Sequence, residues 1–143
     1  MDKKLVVVLV ILFAVVITGA VLIALPTPTG NGNGMPFTSE NVKVVLPLPG
    51  GTVLKEFTVT GYARGNWFFE ASFPIEVRDS NGNVVGRGLA TAEGEWMTTD
   101  FVPFDAPVII ENYFGPATLV LIKDNPSGLP EHDDSVSFSI VVQ

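Results

Sequence analysis

Side chains alternate between apolar and polar from Trp67 to Arg78, and this alternation leaves few folds open to the chain. Successive side chains of a β-strand point to opposite faces, so the pattern predicts a strand whose apolar face covers a core. The segment Ser135–Val142 repeats the pattern, with serines on its polar face. From residue 37 onward no window keeps a helical period for three turns, which predicts an all-β domain.

Further strands are predicted from segments that turn-forming residues separate. They number seven or eight in residues 37–143, which favours a two-sheet sandwich, with a small barrel as the alternative. The chain has no cysteine, so apolar area must hold the sheets together, and ten Phe and two Trp supply it. The remaining predicted strands are Val42–Leu46, Glu56–Gly61, Val84–Ala92, the region Trp96–Ile110 and Ala117–Ile122.

Residues 1–25 have a different character. The 21 residues Leu5–Leu25 carry no charge and are almost all aliphatic. A helix of that length spans about 31 Å, close to the ~30 Å hydrocarbon core of a bilayer. Lys3 and Lys4 precede the run, which places the N-terminus in the cytoplasm and the remainder outside. We therefore predict a cytoplasmic stub and a single-pass transmembrane signal-anchor helix in the plasma membrane.

A cleaved signal peptide is the competing interpretation of this segment. Such peptides have an apolar core of about 7–15 residues and a small-x-small cleavage site, whereas this run is longer and ends in Ala24-Leu25-Pro26. A pilin-type assembly helix is a third interpretation, but no glutamate stands just inside the run. Residues 26–36, PTPTGNGNGMP, are predicted to be a flexible linker to a domain at residues 37–143.

Composition excludes several classes of function. Without cysteine there is no thiol nucleophile and no cysteine-bearing zinc site, and a single histidine, His132, cannot form a multi-histidine metal site. The net charge is −7, and beyond Lys3 and Lys4 the chain has six basic and fourteen acidic residues. This balance argues against a nucleic-acid surface. We expect no cofactor.

The segment Asp124–Asp134 combines four carboxylates, two prolines and the one histidine between two predicted strands. We interpret its first part as a structural clamp, in which Asp124 and Asn125 bond nearby backbone N–H groups. Its second part is predicted to be solvated and to contact a basic partner through Glu131, His132, Asp133 and Asp134. Calcium binding is an alternative, because hard cations take carboxylate oxygens. A hydrolase built on Ser127 and His132 is disfavoured, because no G-x-S-x-G elbow surrounds the serine.

A second polar segment, Asp79-Ser-Asn-Gly-Asn83, begins like a calcium loop. Its sixth position is Val84 and its twelfth is Ala90, where such a loop needs Gly and Glu. Because Asn81-Gly82 lies between two alternating segments, we predict a β-hairpin turn instead.

Three aromatic residues are assigned from the alternation. Trp67 and Trp96 are predicted core residues, with Trp67 on a central strand. Phe68 lies on the opposite face of the same predicted strand, so it is a candidate exposed contact. Exposed aromatic faces would suit stacking on a sugar or on a protein partner.

Four segments carry a further signal: GYARGNWFFEASFP (61–74), DSNG (79–82), GEWMTTDFVPF (94–104) and KDNPSGLPE (123–131). In this order along the chain they resemble the Gmad2 domain, the immunoglobulin-like domain named for bacterial spore-germination proteins. The resemblance covers nearly everything after the linker. It implies an immunoglobulin-like, extracytoplasmic β-sandwich with a role in binding or assembly at the envelope, and it implies no catalytic residue. Relatives are often lipoproteins, whereas this chain has no cysteine to acylate.

These observations together predict a membrane-anchored immunoglobulin-like module outside the cell. Its expected role is to bind an envelope protein or to take part in envelope assembly, with a possible link to sporulation and germination. The alternative is a module that binds cell-wall glycan, and an enzyme is disfavoured. The expected partner is an envelope protein or a cell-wall component, and no nucleic acid is expected.

Overall fold

The computed structural model describes residues 34–143, which form nine β-strands and two 3₁₀ turns, Gly65–Trp67 and Pro130–His132. The predicted membrane helix in residues 1–25 and residues 26–33 of the predicted linker lie outside the described residues. Within the described range, no helix has the length and hydropathy needed to cross a membrane. The strands are β1 Phe37–Thr38, β2 Val42–Leu46, β3 Thr52–Val53, β4 Glu56–Arg64, β5 Ser72–Arg78, β6 Val84–Ala92, β7 Phe101–Ile110, β8 Gly115–Ile122 and β9 Ser135–Val142.

The nine strands form one sheet with the order β1-β2-β4-β7-β6-β5-β8-β9-β3. Neighbours are antiparallel, except that β3 runs parallel to β9. The sheet curls so far that strands near its two edges meet. The ring of Phe37 in β1 stacks on the ring of Phe138 in β9, with 5.2 Å between the ring centroids. The result is a half-barrel whose two halves face each other across the core.

The all-β prediction agrees with this structure. Seven or eight strands were predicted, and the described residues form nine, of which seven have five or more residues. The predicted separation into two sheets differs from it, because β6 and β7 remain hydrogen-bonded and connect the two halves. Their ladder skips Leu89 and Ala90. Added Cβ atoms on Gly86 and Gly88 would lie 2.7 and 2.6 Å from side-chain atoms of β7. These glycines let the two strands approach closely where the halves join.

The core contains the inward faces of both halves. Val42, Val44 and Val59 from one half and Leu119 and Ile140 from the other are at most 1 % exposed. They belong to one continuous apolar cluster. The polar residues between them on each strand face outward, as the alternation predicts.

The predicted strand from Trp67 to Arg78 is wrong in its first part. Gly65–Trp67 forms a 3₁₀ turn, and β5 begins at Ser72. Between them Glu70 and Ala71 have φ values of 49° and 64°, and Phe69 and Ser72 exchange two backbone hydrogen bonds of 2.9 and 3.1 Å. The chain therefore reverses direction through two residues that are not turn formers. The alternation of apolar and polar residues in the sequence therefore extends through residues 67–71, although these residues do not form a strand.

Candidate binding surface

Phe68 is buried, so the expectation that it is an exposed contact is wrong. Its side chain is 4 % exposed, and its ring centroid lies 5.1 Å from that of Phe73. Trp67 is 1 % exposed and meets the same Phe73 ring edge to face at 5.7 Å. Because the backbone turns here rather than extends, two consecutive side chains enter the core. Phe69, the residue predicted to face inward, is 41 % exposed.

Trp96 is half-buried and packs against the core cluster from the connection between β6 and β7. This connection passes directly over Gly65. A Cβ on Gly65 would overlap the backbone carbonyl oxygens of Trp96 and Thr98. The glycine thus allows the connection to cover the Trp67 side of the core.

The clamp in the acidic segment is Asn125. Its Nδ2 donates to the Leu129 carbonyl and to Asp133 Oδ1, each at 2.8 Å. Its Oδ1 accepts from the Ser127 backbone N–H at 3.2 Å and from the Ser127 hydroxyl. Asp124 contributes through its backbone, whose N–H donates to the Trp67 carbonyl at 3.1 Å. The two halves of the segment, predicted to act separately, are therefore joined by one amide side chain.

The four predicted contact residues differ in their surroundings. Glu131 and His132 are exposed, in the 3₁₀ turn. Asp133 accepts from Asn125, and Asp134 Oδ2 accepts from Asn41 Nδ2 at 3.3 Å. The His132 carbonyl accepts from Lys123 Nζ at 3.0 Å. The serine of the disfavoured hydrolase hypothesis, Ser127, points its hydroxyl at Asn125 rather than at His132.

The Asp79–Asn83 segment is the hairpin turn that its Asn-Gly pair predicts. It connects β5 and β6, and Gly82 has φ 83°. Asp79 Oδ1 accepts from the backbone N–H groups of Asn83 and Asn81, each at 2.9 Å, and its Oδ2 accepts from the Asn83 amide at 3.2 Å. These donors, the Asn83 N–H above all, hold the pKa of Asp79 below its usual value of 3.8. In residues 34–143 no three His, Asp or Glu side chains lie close enough to hold a metal ion.

A partly exposed group of aromatic and cationic side chains lies on the outer face of β2, β4 and β7. Antiparallel pairing sets Lys43 opposite Tyr62 and Arg64 opposite Phe101. Lys43 Nζ lies 4.4 Å and the Arg64 guanidinium 4.0 Å from the centroid of the Phe101 ring. Tyr62 is 44 % exposed and pairs with Pro103, the outward neighbour of Phe101. We name Lys43, Tyr62, Arg64, Phe101 and Pro103 the cationic aromatic surface.

Its two cations are not neutralised by carboxylates. The ion pairs in the described part of the chain are those of Arg78 and Arg87 with Glu76, at 2.7 and 3.3 Å. Arg64 Nη1 instead donates to the Thr99 carbonyl at 3.3 Å, which braces the guanidinium over the ring. Each cation over an aromatic face contributes about 0.5–1 kcal/mol at an exposed site. The surface therefore offers two positioned positive charges beside an exposed phenol.

This surface was not predicted from the sequence. Its residues come from three strands, and only the pairing register brings them together. One signal was present: the outward positions of β4 change from Glu56, Thr58 and Thr60 to Tyr62 and Arg64. Without the register, nothing in the sequence indicates that Lys43 and Phe101 lie beside them.

A protein-family model described as Gmad2, the immunoglobulin-like domain of bacterial spore germination, matches residues 41–128. Comparisons with curated proteins and with solved structures gave no match. The matched range covers more than half of the chain. It includes the whole cationic aromatic surface and Asn125, and it ends before Glu131–Asp134.

Proposed function

Because the chain belongs to the Gmad2 family, the immunoglobulin-like domains of bacterial spore germination, we propose that it is a non-catalytic binding module of the cell envelope. The 21-residue apolar run and the preceding lysines support an anchor in the plasma membrane with the domain outside. The domain would then hold an envelope protein close to the membrane. A part in germination itself rests on the family description, and a deletion strain of a spore-forming host would test it.

The observation that carries the binding proposal is the stacking of Lys43 and Arg64 on the half-buried ring of Phe101. Tyr and Arg are enriched among the residues that dominate binding energies at protein interfaces. The preferred partner is an acidic protein segment that carries an apolar side chain. Its carboxylates would meet the two cations, and its apolar group would lie on Tyr62 and Pro103.

A single experiment tests this surface. Full-length chain in detergent captures partners from envelope extract, and captured proteins are compared between the wild type and a Lys43→Ala, Arg64→Ala double variant. The matched control is Arg87→Ala, since Arg87 is 73 % exposed and lies on β6 of the same sheet. We expect the double variant to lose a captured protein that the control retains, and high salt to weaken the capture. Equal capture by all three chains would contradict the proposal.

A cell-wall glycan is the second candidate ligand, and Tyr62 is the observation that favours it. Trp67 and Phe68 offer little surface for stacking, because they are 1 % and 4 % exposed. Tyr62 is exposed and has a proline beside it. Binding to purified wall glycan that Tyr62→Ala abolishes and Arg64→Ala preserves would favour the glycan over an acidic protein.

A further inference from the structure

One end of the half-barrel is apolar. Of the thirteen large apolar side chains that are exposed in the described range, eight lie toward the end where β2, β5, β7 and β9 finish. Leu46, Leu54 and Phe57 are among the residues that line one shallow groove there. Lys55 Nζ lies 4.0 Å from the centroid of the exposed Phe114 ring. We name this group the apolar end; its members are Met35, Val45, Leu46, Leu54, Val84, Ile109, Phe114 and Val141.

The chain enters the domain on the side of this end. β1 runs antiparallel to β2 with Phe37 opposite Val44, so the first residue of β1 is at the end of the pair that is nearer Leu46. Residues 26–36 are eleven residues and can reach at most about 35–40 Å. Leu25, the last residue of the apolar run, is therefore at most about that distance from Phe37.

Charge is distributed unevenly between the two ends. Nine of the fourteen carboxylates in residues 34–143 lie in connections at the opposite end: Glu40, Glu70, Glu93, Glu95, Asp100, Asp124, Glu131, Asp133 and Asp134. At the apolar end the charges nearly cancel, with Glu56, Glu76, Asp79 and Glu111 against Lys55, Arg78 and Arg87. An anionic lipid surface would repel the acidic end and tolerate the apolar one.

We propose that the apolar end contacts the surface of the membrane in which the chain is anchored. Leu46, Leu54 and Phe114 enter the interfacial layer, and Lys55 extends along the Phe114 ring to keep its ammonium among the lipid headgroups. The anchor of the proposed function is a premise of this inference. Docking would orient the domain with its acidic end away from the membrane and leave the cationic aromatic surface accessible from the side.

The absence of cysteine makes the test direct, because one introduced thiol can be labelled alone. Full-length Leu54→Cys and Met97→Cys chains carry an environment-sensitive fluorophore and are reconstituted into phosphatidylglycerol–phosphatidylcholine vesicles with or without brominated acyl chains. Leu54 and Met97 are 66 % and 74 % exposed and lie at opposite ends, so labelling leaves the core intact. We expect a blue-shifted, bromine-quenched probe at position 54 and an unquenched, water-exposed probe at 97.

Each other outcome overturns the inference. A probe at 54 as hydrated as that at 97 shows that the domain stands off the membrane. A dehydrated but unquenched probe at 54 shows that protein covers the apolar end, either a second copy or the preceding chain. If the protein does not float with the vesicles, both the membrane anchor and the docking are contradicted. If it floats but the probe at position 54 shows no docking, only the docking is contradicted, and the proposals of the anchor and of the cationic aromatic surface stand.

A second set of variants excludes an effect of the label. Added to the Leu54→Cys chain, Leu46→Ser with Phe114→Ser is expected to abolish bromine quenching. Leu89→Ser is the matched control, because Leu89 is 53 % exposed on the outer face of β6, away from the apolar end. Quenching that survives the double variant, with circular dichroism unchanged, would also contradict docking.

Discussion

Two neighbouring connections at the acidic end are built in opposite ways. The β4–β5 connection, residues 65–71, buries Trp67 and Phe68, whereas the β8–β9 connection, residues 123–134, is exposed along most of its length. They touch through one hydrogen bond, from the Asp124 N–H to the Trp67 carbonyl at 3.1 Å. The first is stabilised by aromatic area removed from water, and the second by the hydrogen bonds of Asn125.

The difference shows that two connections at the same end of the fold can be stabilised by different interactions. Burying apolar area contributes about 25 cal/mol per Å², so two large rings outweigh several hydrogen bonds with a net value near 1 kcal/mol each. The buried connection should therefore dominate global stability. The hydrogen bonds of the exposed connection should determine its local order, and the domain should remain folded when they are lost.

The largest expected effect is that of Trp67→Ala. Removing a fully buried indole that packs on Phe73 should lower the free energy of unfolding by about 3–5 kcal/mol, measured by denaturant titration. Phe69→Ala is the control, because Phe69 belongs to the same connection and is 41 % exposed, so it should cost less than about 1 kcal/mol. Similar losses of unfolding free energy for the two variants would contradict the conclusion that the buried Trp67 ring, and not the exposed Phe69 ring, stabilises this connection.

Asn125→Ala tests the exposed connection. Loss of its bonds to Leu129, Ser127 and Asp133 should lower the free energy of unfolding by about 1–2 kcal/mol and increase amide exchange in residues 125–133. Asp124→Ala keeps the backbone bond to Trp67 and should change stability by no more than about 0.5 kcal/mol. A larger loss of unfolding free energy for Asp124→Ala than for Asn125→Ala would show that the Asp124 carboxylate, and not Asn125, is the clamp.

Ala71→Gly should stabilise the protein. Ala71 has φ 64°, a left-handed conformation that costs an L-residue about 1–2 kcal/mol and glycine very little. After the added entropy of glycine in the unfolded chain, we expect a gain of about 0.5–1 kcal/mol in denaturant titration. Ala92→Gly is the control on strand β6 and should destabilise. A loss at both positions would show that the turn is not strained.

The smallest effect concerns Asp79, which makes the same side-chain-to-backbone turn as Asn125 but carries a charge. Its folded pKa is lowered, so its contribution to stability is present above its unfolded pKa, near 3.8, and is lost as pH falls through the folded value. The melting temperature of the wild type should therefore exceed that of Asp79→Asn by more above this range than below it. A constant difference between wild type and Asp79→Asn would contradict the assignment.

The strands were predictable where one face of a long segment is buried. Alternation in Ser72–Arg78 and Ser135–Val142 follows from the two-residue period of a strand, and it needs no partner to be visible. The Asn81-Gly82 turn was likewise predictable, because the required positive φ selects these residues. The two-residue strands β1 and β3 were not, since they are too short to show a period.

What the sequence determined by itself was the all-β class, the hairpin and the resemblance to the Gmad2 family, because each depends on local pattern or on ordered motifs. The tertiary structure alone decided that the sheet curls as one piece, that Phe68 is buried, that Asn125 rather than the Asp124 carboxylate is the clamp, and that Lys43 and Arg64 meet on Phe101. Each of these depends on register or on a reversal of the chain. Register is set by the packing of the whole core, and no short segment carries that information.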